Sequence, residues 1–254
     1  MNEQGTVENL VYLVQSEVKS KTFRINYPVT EELRQEMVFK VFRDFMVYAL
    51  NQYYDEENLT LLEEFVDEHQ PKQEKKERLL DNLFWWRIMY DAGQNIMESC
   101  MEEYLSDNRI RFRNRPFITS WLRQCDKAVP KFYFIGHKYN DHVFVAIDIL
   151  TEEPLDVMVF DATAVPPKQG EIAIGILIPL GGGLYFPIVD FYHFDYQARE
   201  AMASCLHYHY EKNLKTSNMH EAFLHVLSVM LQIERIIFME EQEKLTTKKF
   251  PIHK

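Results

Sequence analysis

The stretches KFYFIGHK (residues 131–138) and HVFVAIDIL (residues 142–150), joined by YND (residues 139–141), predict a β-hairpin. Asn and Asp suit the turn because they tolerate a left-handed backbone and bond locally. Three further strands are predicted in residues 155–161, 170–180 and 184–189, each bounded by turn residues. This spacing indicates a central antiparallel β meander or a small, partly open barrel of about five strands.

Helices are predicted on both sides of this β unit. In the N-terminal part, Met37, Val41 and Phe45 recur at helical spacing, and Thr30 before two glutamates is typical of a helix start. Two C-terminal helices, near residues 196–214 and 218–243, are expected to pack on the β unit. We therefore expect an α+β protein, packed as one or two compact units. Its regions are a helical region (1–108), a basic connector with the β unit (109–194) and C-terminal helices (195–254).

The composition excludes several classes of protein. The 254 residues carry a net charge of −11, which repels nucleic acid and anionic lipid unless a local patch reverses the sign. The three cysteines are far apart, odd in number and without CxxC spacing, so they do not indicate a disulfide framework, which fits a reducing compartment. The N-terminal residues lack the basic and apolar regions of a secretory signal, and the apolar runs are short for a membrane span. We expect a cytoplasmic location without membrane association.

No sequence pattern is specific for a reaction, so no catalytic residue, metal or cofactor is predicted. Acidic residues on or beside the strands were weighed as a Mg²⁺ site of a nuclease, but the lysine expected two positions after Glu171 is missing. Cys205 and His209 share a helix face, yet two ligands do not make a zinc site. We expect the strand acids to cap turns or to face solvent; they are Asp148, Asp156, Asp161 and Glu171.

One stretch of the acidic chain is basic. Residues 109–131 hold seven basic side chains and one acidic side chain, and the alternating arginines predict an extended segment with these side chains on one face. The candidate phosphate-binding or partner-binding residues are Arg109, Arg111, Arg113, Arg115 and Arg123. The favoured interpretation is that they dock on residues 1–108, which carry 11 basic and 22 acidic residues. The other interpretation is contact with a nucleic-acid backbone or an acidic partner.

Clustered aromatic residues give the functional hypothesis. Adjacent aromatics on a helix cannot all face the core, so Trp85 and Trp86, and similarly Tyr185 and Phe186, are candidate interface residues. Core packing is the alternative for most of them. The sequence favours a non-catalytic interaction or regulatory protein that binds another protein through aromatic and helical surfaces. The alternative is a nucleic-acid-associated protein or metal-dependent nuclease that uses residues 109–131. A third hypothesis is a small ligand inside the β unit.

Overall fold

Seven helices precede the β unit in the part of the chain that the structure describes. The structure is a computed structural model that describes Gln15 and residues 20–54, 56–91 and 99–249. A π-helical segment, Met37–Phe42, joins the first two helices without a break. The seven helices are α1 (Glu31–Glu36), α2 (Arg43–Tyr53), α3 (Glu56–His69), α4 (Gln73–Asp91), α5 (Cys100–Asp107), α6 (Arg109–Phe112) and α7 (Pro116–Cys125).

The first helix begins where the sequence predicts. The Thr30 side chain accepts a hydrogen bond from the backbone N–H of Leu33, 3.4 Å away, and so pairs one of the four N–H groups that a helix start leaves open. Met37, Val41 and Phe45 then follow one another on the buried side of the helix. Their burial joins this helix to the main hydrophobic core.

The β unit is a closed barrel. Its strands are β1 (Pro130–Lys138), β2 (Val143–Asp148), β3 (Pro154–Met158), β4 (Ile172–Gly181), β5 (Leu184–Pro187) and β6 (Tyr192–His193). The order is β1-β2-β3-β5-β4, and β4 also pairs with β1, which closes the ring. The predicted α+β class and five strands are confirmed. The sheet is mixed, because β3 and β5 are parallel, and β6 adds a short pairing to β4.

Strand β4 is buried along its whole length because both of its faces are covered. Its alternate residues contribute to two separate clusters: Ala173 lies in the barrel interior, and Ile174 packs in the main core with the helices. The interior is filled with side chains. A Cβ at Gly175 would lie 2.7 Å from the Phe191 ring, so the absence of a side chain there gives this ring its space. Tyr133 and Phe144, predicted to line an interior ligand pocket, are part of this packed interior.

Two C-terminal helices, α8 (Arg199–Leu214) and α9 (Met219–Lys249), pack on the barrel as predicted. The ring of Phe132 on β1 meets Tyr210 of α8 at 5.9 Å and Phe223 of α9 at 5.4 Å between centroids. By length and composition, residues 219–244 of α9 meet the criteria for a membrane span. Its residues Val226 and Met230 are fully buried against the rest of the protein. A cytoplasmic location stays a prediction.

A buried ionic cluster joins α4, α9 and the segment after β6. One Glu234 carboxylate oxygen accepts hydrogen bonds from Lys75 Nζ and from the Asp195 backbone N–H, both at 2.6 Å. The other oxygen accepts the Tyr192 hydroxyl at 2.5 Å. Lys75 also pairs with Asp195 at 2.7 Å, and Lys72 pairs with Asp195 at 2.6 Å. Each buried charge therefore has an opposite charge within hydrogen-bonding distance, as burial demands.

Candidate partner-binding groove

The basic stretch is helical, which corrects the predicted extended segment. Residues Arg109–Phe112 form α6, and Pro116 begins α7 at its first helical position. The helix separates the two apolar residues that an extended segment would place on one face. Phe112 packs against the Tyr104 ring with centroids 5.6 Å apart, and Ile110 is 91% exposed. Burial of Phe112 thus accounts for the local conformation better than the alternation of arginines does.

Three of the five arginines make ion pairs with the acidic N-terminal helices. Arg111 pairs with Asp44 on α2. Arg115 pairs with Glu36 at 3.0 Å. Arg123 makes a two-bond contact with Glu102 at 2.6 and 3.1 Å. The remaining two, Arg109 and Arg113, are exposed and have no acidic partner among the described residues.

The candidate interface aromatics are mostly core residues. Trp85 is 3% exposed and Trp86 is 8% exposed, because α4 buries side chains on more than one face. Phe186 is also buried, and Tyr185 on β5 is partly exposed. An interface role for these residues stays a prediction, but burial leaves little of either tryptophan for a partner to contact.

The strand acids have local partners. Asp148 is buried and accepts hydrogen bonds from Lys131 Nζ at 2.5 Å and from the Leu150 backbone N–H at 2.9 Å. Burial acts to raise the pKa of Asp148, but the hydrogen bond and charge of Lys131 bring it below its ordinary value. Glu171 lies 2.5 Å from the His193 ring. Within the described ranges, no three His, Cys, Asp or Glu side chains are placed to hold a metal ion.

The structure shows a groove that the sequence did not indicate. It lies between the π-helical segment and the outer face of the barrel, and its cavity volume is about 400 Å³. Two phenylalanines of the π-helical segment form one side, and two from the barrel form the other. We call these four the phenylalanine set; they are Phe39, Phe42, Phe160 and Phe186.

The phenylalanine set is a connected row of rings. Phe39 meets Phe160 at 5.2 Å, Phe160 meets Phe186 at 5.9 Å, and Phe186 meets Phe42 at 5.3 Å between centroids. All three contacts are edge-to-face, the arrangement that aromatic pairs prefer. Phe42 and Phe186 are buried and form the floor, and Phe39 is 50% exposed at the mouth. π-helical segments occur often at functional sites, which makes this groove the principal candidate.

The lining of the groove is more acidic than basic. It contains the carboxylates of Asp81, Asp161 and Asp190 and one guanidinium, that of Arg43. The Arg78 side chain, 2.8 Å from Asp190, neutralises that carboxylate. Hydrogen bonds from the backbone and side chain of Thr163 lower the pKa of Asp161, so this residue is charged at neutral pH. The groove therefore offers apolar rings with negative charge beside them.

An exposed apolar stripe continues from the groove along α2. Phe39, Val47 and Leu50 are exposed, and their spacing places them on one side of the continuous helix. Exposed Tyr54 follows directly after the last residue of the helix, and exposed Arg43 lies on the same side between Phe39 and Val47. From the first to the last, the stripe is about 22 Å long at the rise of an α-helix. Exposed apolar residues grouped along one helix mark interaction sites more often than isolated residues do.

Comparison with known proteins identifies no relative. No protein family, curated protein or solved structure matches this chain at a significant level. The groove is therefore interpreted from its own residues: a phenylalanine floor, carboxylates on the rim and an apolar stripe that leads away from it.

Proposed function

We propose that the protein is a non-catalytic binding protein that holds an apolar and basic segment of another protein in this groove. The observation that carries the proposal is the half-exposed ring of Phe39. It sits where the cavity of about 400 Å³ meets the exposed stripe on α2. Pockets of ligand-binding proteins span about 300–1,000 Å³, and the groove falls in that range. A regulatory or scaffolding role would follow from binding of this kind.

The shape favours a polypeptide over a small molecule. A compact ligand would fill the cavity but leave the stripe of about 22 Å uncovered. An amphipathic helix of roughly 15 residues matches that length, and helices bind grooves through apolar anchors spaced three and four residues apart. One apolar side chain of the bound helix would contact the floor of the groove. The following apolar side chains would contact Val47, Leu50 and Tyr54.

The charge favours a basic segment. Asp81 and Asp161 line the groove, and neither forms an ion pair with a lysine or arginine among the described residues. Burial raises the pKa of Asp81, and the nearby charge of Arg78 acts in the opposite direction. Lysine or arginine beside the apolar anchor of a bound segment would pair with them. Such rim pairs act more on specificity and association rate than on affinity, at about 0.2–1 kcal/mol each.

Two synthetic helical peptides test the proposal. Both carry leucines at the same spacing; one has lysine and the other has glutamate at the flanking positions, and binding is measured by fluorescence anisotropy. We expect the lysine peptide to bind more tightly, and Phe39→Ala to weaken its binding by about 1–3 kcal/mol. Phe134→Ala is the matched control, because Phe134 is 41% exposed on β1 and lies outside the groove.

Two outcomes would contradict the proposal. Equal binding of the two peptides would show that the carboxylates of Asp81 and Asp161 do not contribute to binding. Equal loss in the Phe39→Ala and Phe134→Ala variants would show that the peptide contacts exposed aromatics in general.

The nucleic-acid alternative has weaker support. Arg111, Arg115 and Arg123 are engaged by carboxylates of the chain itself, so a nucleic-acid backbone would have to displace them. Binding of nucleic acid by the whole stretch, and a nuclease that uses it, stay predictions.

A further inference from the structure

A second concavity lies on a different part of the surface. It is formed by residues 21–23 together with the end of α6 and the first turns of α7, and its cavity volume is about 580 Å³. Four of its lining residues are cationic, and none of the described lining residues is acidic. The cationic residues are Lys21, Arg113, Arg123 and Lys127.

Most of this positive charge is not neutralised. Arg113 and Lys21 are exposed and have no acidic partner among the described residues. Among the described residues, the hydrogen bond of the Lys127 ammonium group goes to the neutral side chain of Gln124, at 3.4 Å. Arg123 alone is paired, with Glu102. Three unneutralised cations around one concavity, in a chain of net charge −11, make a local site for an anion.

The start of α7 and several polar side chains also line this concavity. Pro116 and Thr119, from the first turn of the ten-residue α7, line the concavity. Pro116 has no N–H group, and the N–H and hydroxyl groups of Thr119 both donate to the Arg115 carbonyl, so the helix contributes the positive end of its dipole and, from these two residues, no free N–H group. Arg115, the residue before this helix, makes no side-chain cap to it. Thr22 and Ser120 bring further polar groups to the lining.

We infer that this concavity binds a compact ligand with two or more phosphate groups, with Arg113 and Lys127 as its main contacts. Arginine forks match the geometry of phosphate oxygens, and several cations together suit a ligand of high negative charge. A compact ligand fits better than a long polyanion. The carboxylate of Glu102 lies beside Arg123 of the lining, and the net charge of −11 repels an extended phosphate chain.

Binding of tripolyphosphate tests the inference. It is measured by calorimetry and by the rise in melting temperature, at about 50 mM and about 200 mM salt. We expect binding to the unmodified protein and a loss of about tenfold or more in affinity in the double variant Arg113→Ala/Lys127→Ala. The matched control is Arg109→Ala, because Arg109 is an equally exposed arginine outside the lining of the concavity.

The variants are suited to the test because all three side chains are exposed, so each protein is expected to fold and to melt at the same temperature without ligand. Equal affinity in the double variant and in Arg109→Ala, or no binding of tripolyphosphate, would overturn the inference. A single-stranded oligonucleotide is the competing probe. If it binds more tightly than tripolyphosphate and loses that binding in the double variant, the site takes nucleic acid and the compact ligand is wrong.

The result is independent of the proposed peptide groove. Arg113 and Lys127 are not among the residues of that groove, so the double variant should bind the lysine peptide normally. Each site can therefore fail its test without affecting the other.

Discussion

Replacement of Glu234 by alanine should destabilise the protein more than any surface substitution on the same helix. Glu234 is 5% exposed and accepts three hydrogen bonds, from Lys75, from the backbone of Asp195 and from the Tyr192 hydroxyl. The substitution removes the only acceptor that the structure gives to the buried Tyr192 hydroxyl. Lys75 keeps its contact with Asp195, but that carboxylate also pairs with Lys72, so the loss of Glu234 leaves two ammonium groups for one carboxylate.

The expected loss of stability follows from these contacts. Breaking a buried ion pair by removal of one partner costs about 3–5 kcal/mol. Of this cost, the buried Tyr192 hydroxyl, left without a hydrogen-bond acceptor, accounts for about 1–3 kcal/mol. For a protein of this size, each kcal/mol lowers the melting temperature by about 2–4 °C, so a fall on the order of 10 °C is expected. Tyr192→Phe should cost only about 1 kcal/mol, because Glu234 keeps its other two donors.

Urea unfolding followed by tryptophan fluorescence measures the difference, since Trp85 and Trp121 are both buried and report on the core. The control is Glu240→Ala, an exposed acidic residue on α9, which should change stability by no more than about 0.5 kcal/mol. The midpoint for Glu234→Ala should fall without a change in slope. Unfolding curves that coincide for the two variants would refute the reasoning, because Glu234 would then carry no net stabilisation.

Two further predictions concern titratable groups. Burial raises the pKa of all three thiols, that of Cys100 to about 12, and Cys205 alone among them is partly exposed. Iodoacetamide should therefore label Cys205 first in the folded protein; mass spectrometry checks this, and early labelling of Cys125 would contradict it. Folding lowers the pKa of Asp148, so its stabilising effect is complete above about pH 4 and is lost as the pH falls below that value. Asp148→Asn should therefore reduce stability at about pH 6 and have a smaller effect at about pH 3; a pH-independent difference in unfolding free energy would contradict this.

The elements whose signals are local could be predicted from the sequence. The first strand, predicted at residues 131–138, is observed at Pro130–Lys138, because its alternation and its bounding proline and turn are contained within it. Closure of the barrel could not be predicted. It depends on pairing between β1 and β4 and on parallel pairing between β3 and β5, whose partners are separated by long connections.

The conformation of the basic stretch and the position of the groove could not be predicted from the sequence, for two other reasons. Alternating arginines over a few residues fit a strand, and only the burial of Phe112 distinguishes the helix. The groove joins Phe39 and Phe42 to Phe160 and Phe186, which lie more than a hundred residues later in the chain. The one available signal was Phe39 itself, an apolar residue off the buried stripe of its helix.

Closure of the barrel also sets an order of events during synthesis. Strands β1, β2 and β3 leave the ribosome before the other strands of the barrel, and they expose two unpaired strand edges until later residues arrive. Strand β4 covers one edge and β5 covers the other, so a nascent chain that ends before residue 184 keeps an edge on which other chains can pair. We therefore expect the short β5 strand, Leu184–Pro187, to reduce aggregation of the growing polypeptide as well as to complete the ring.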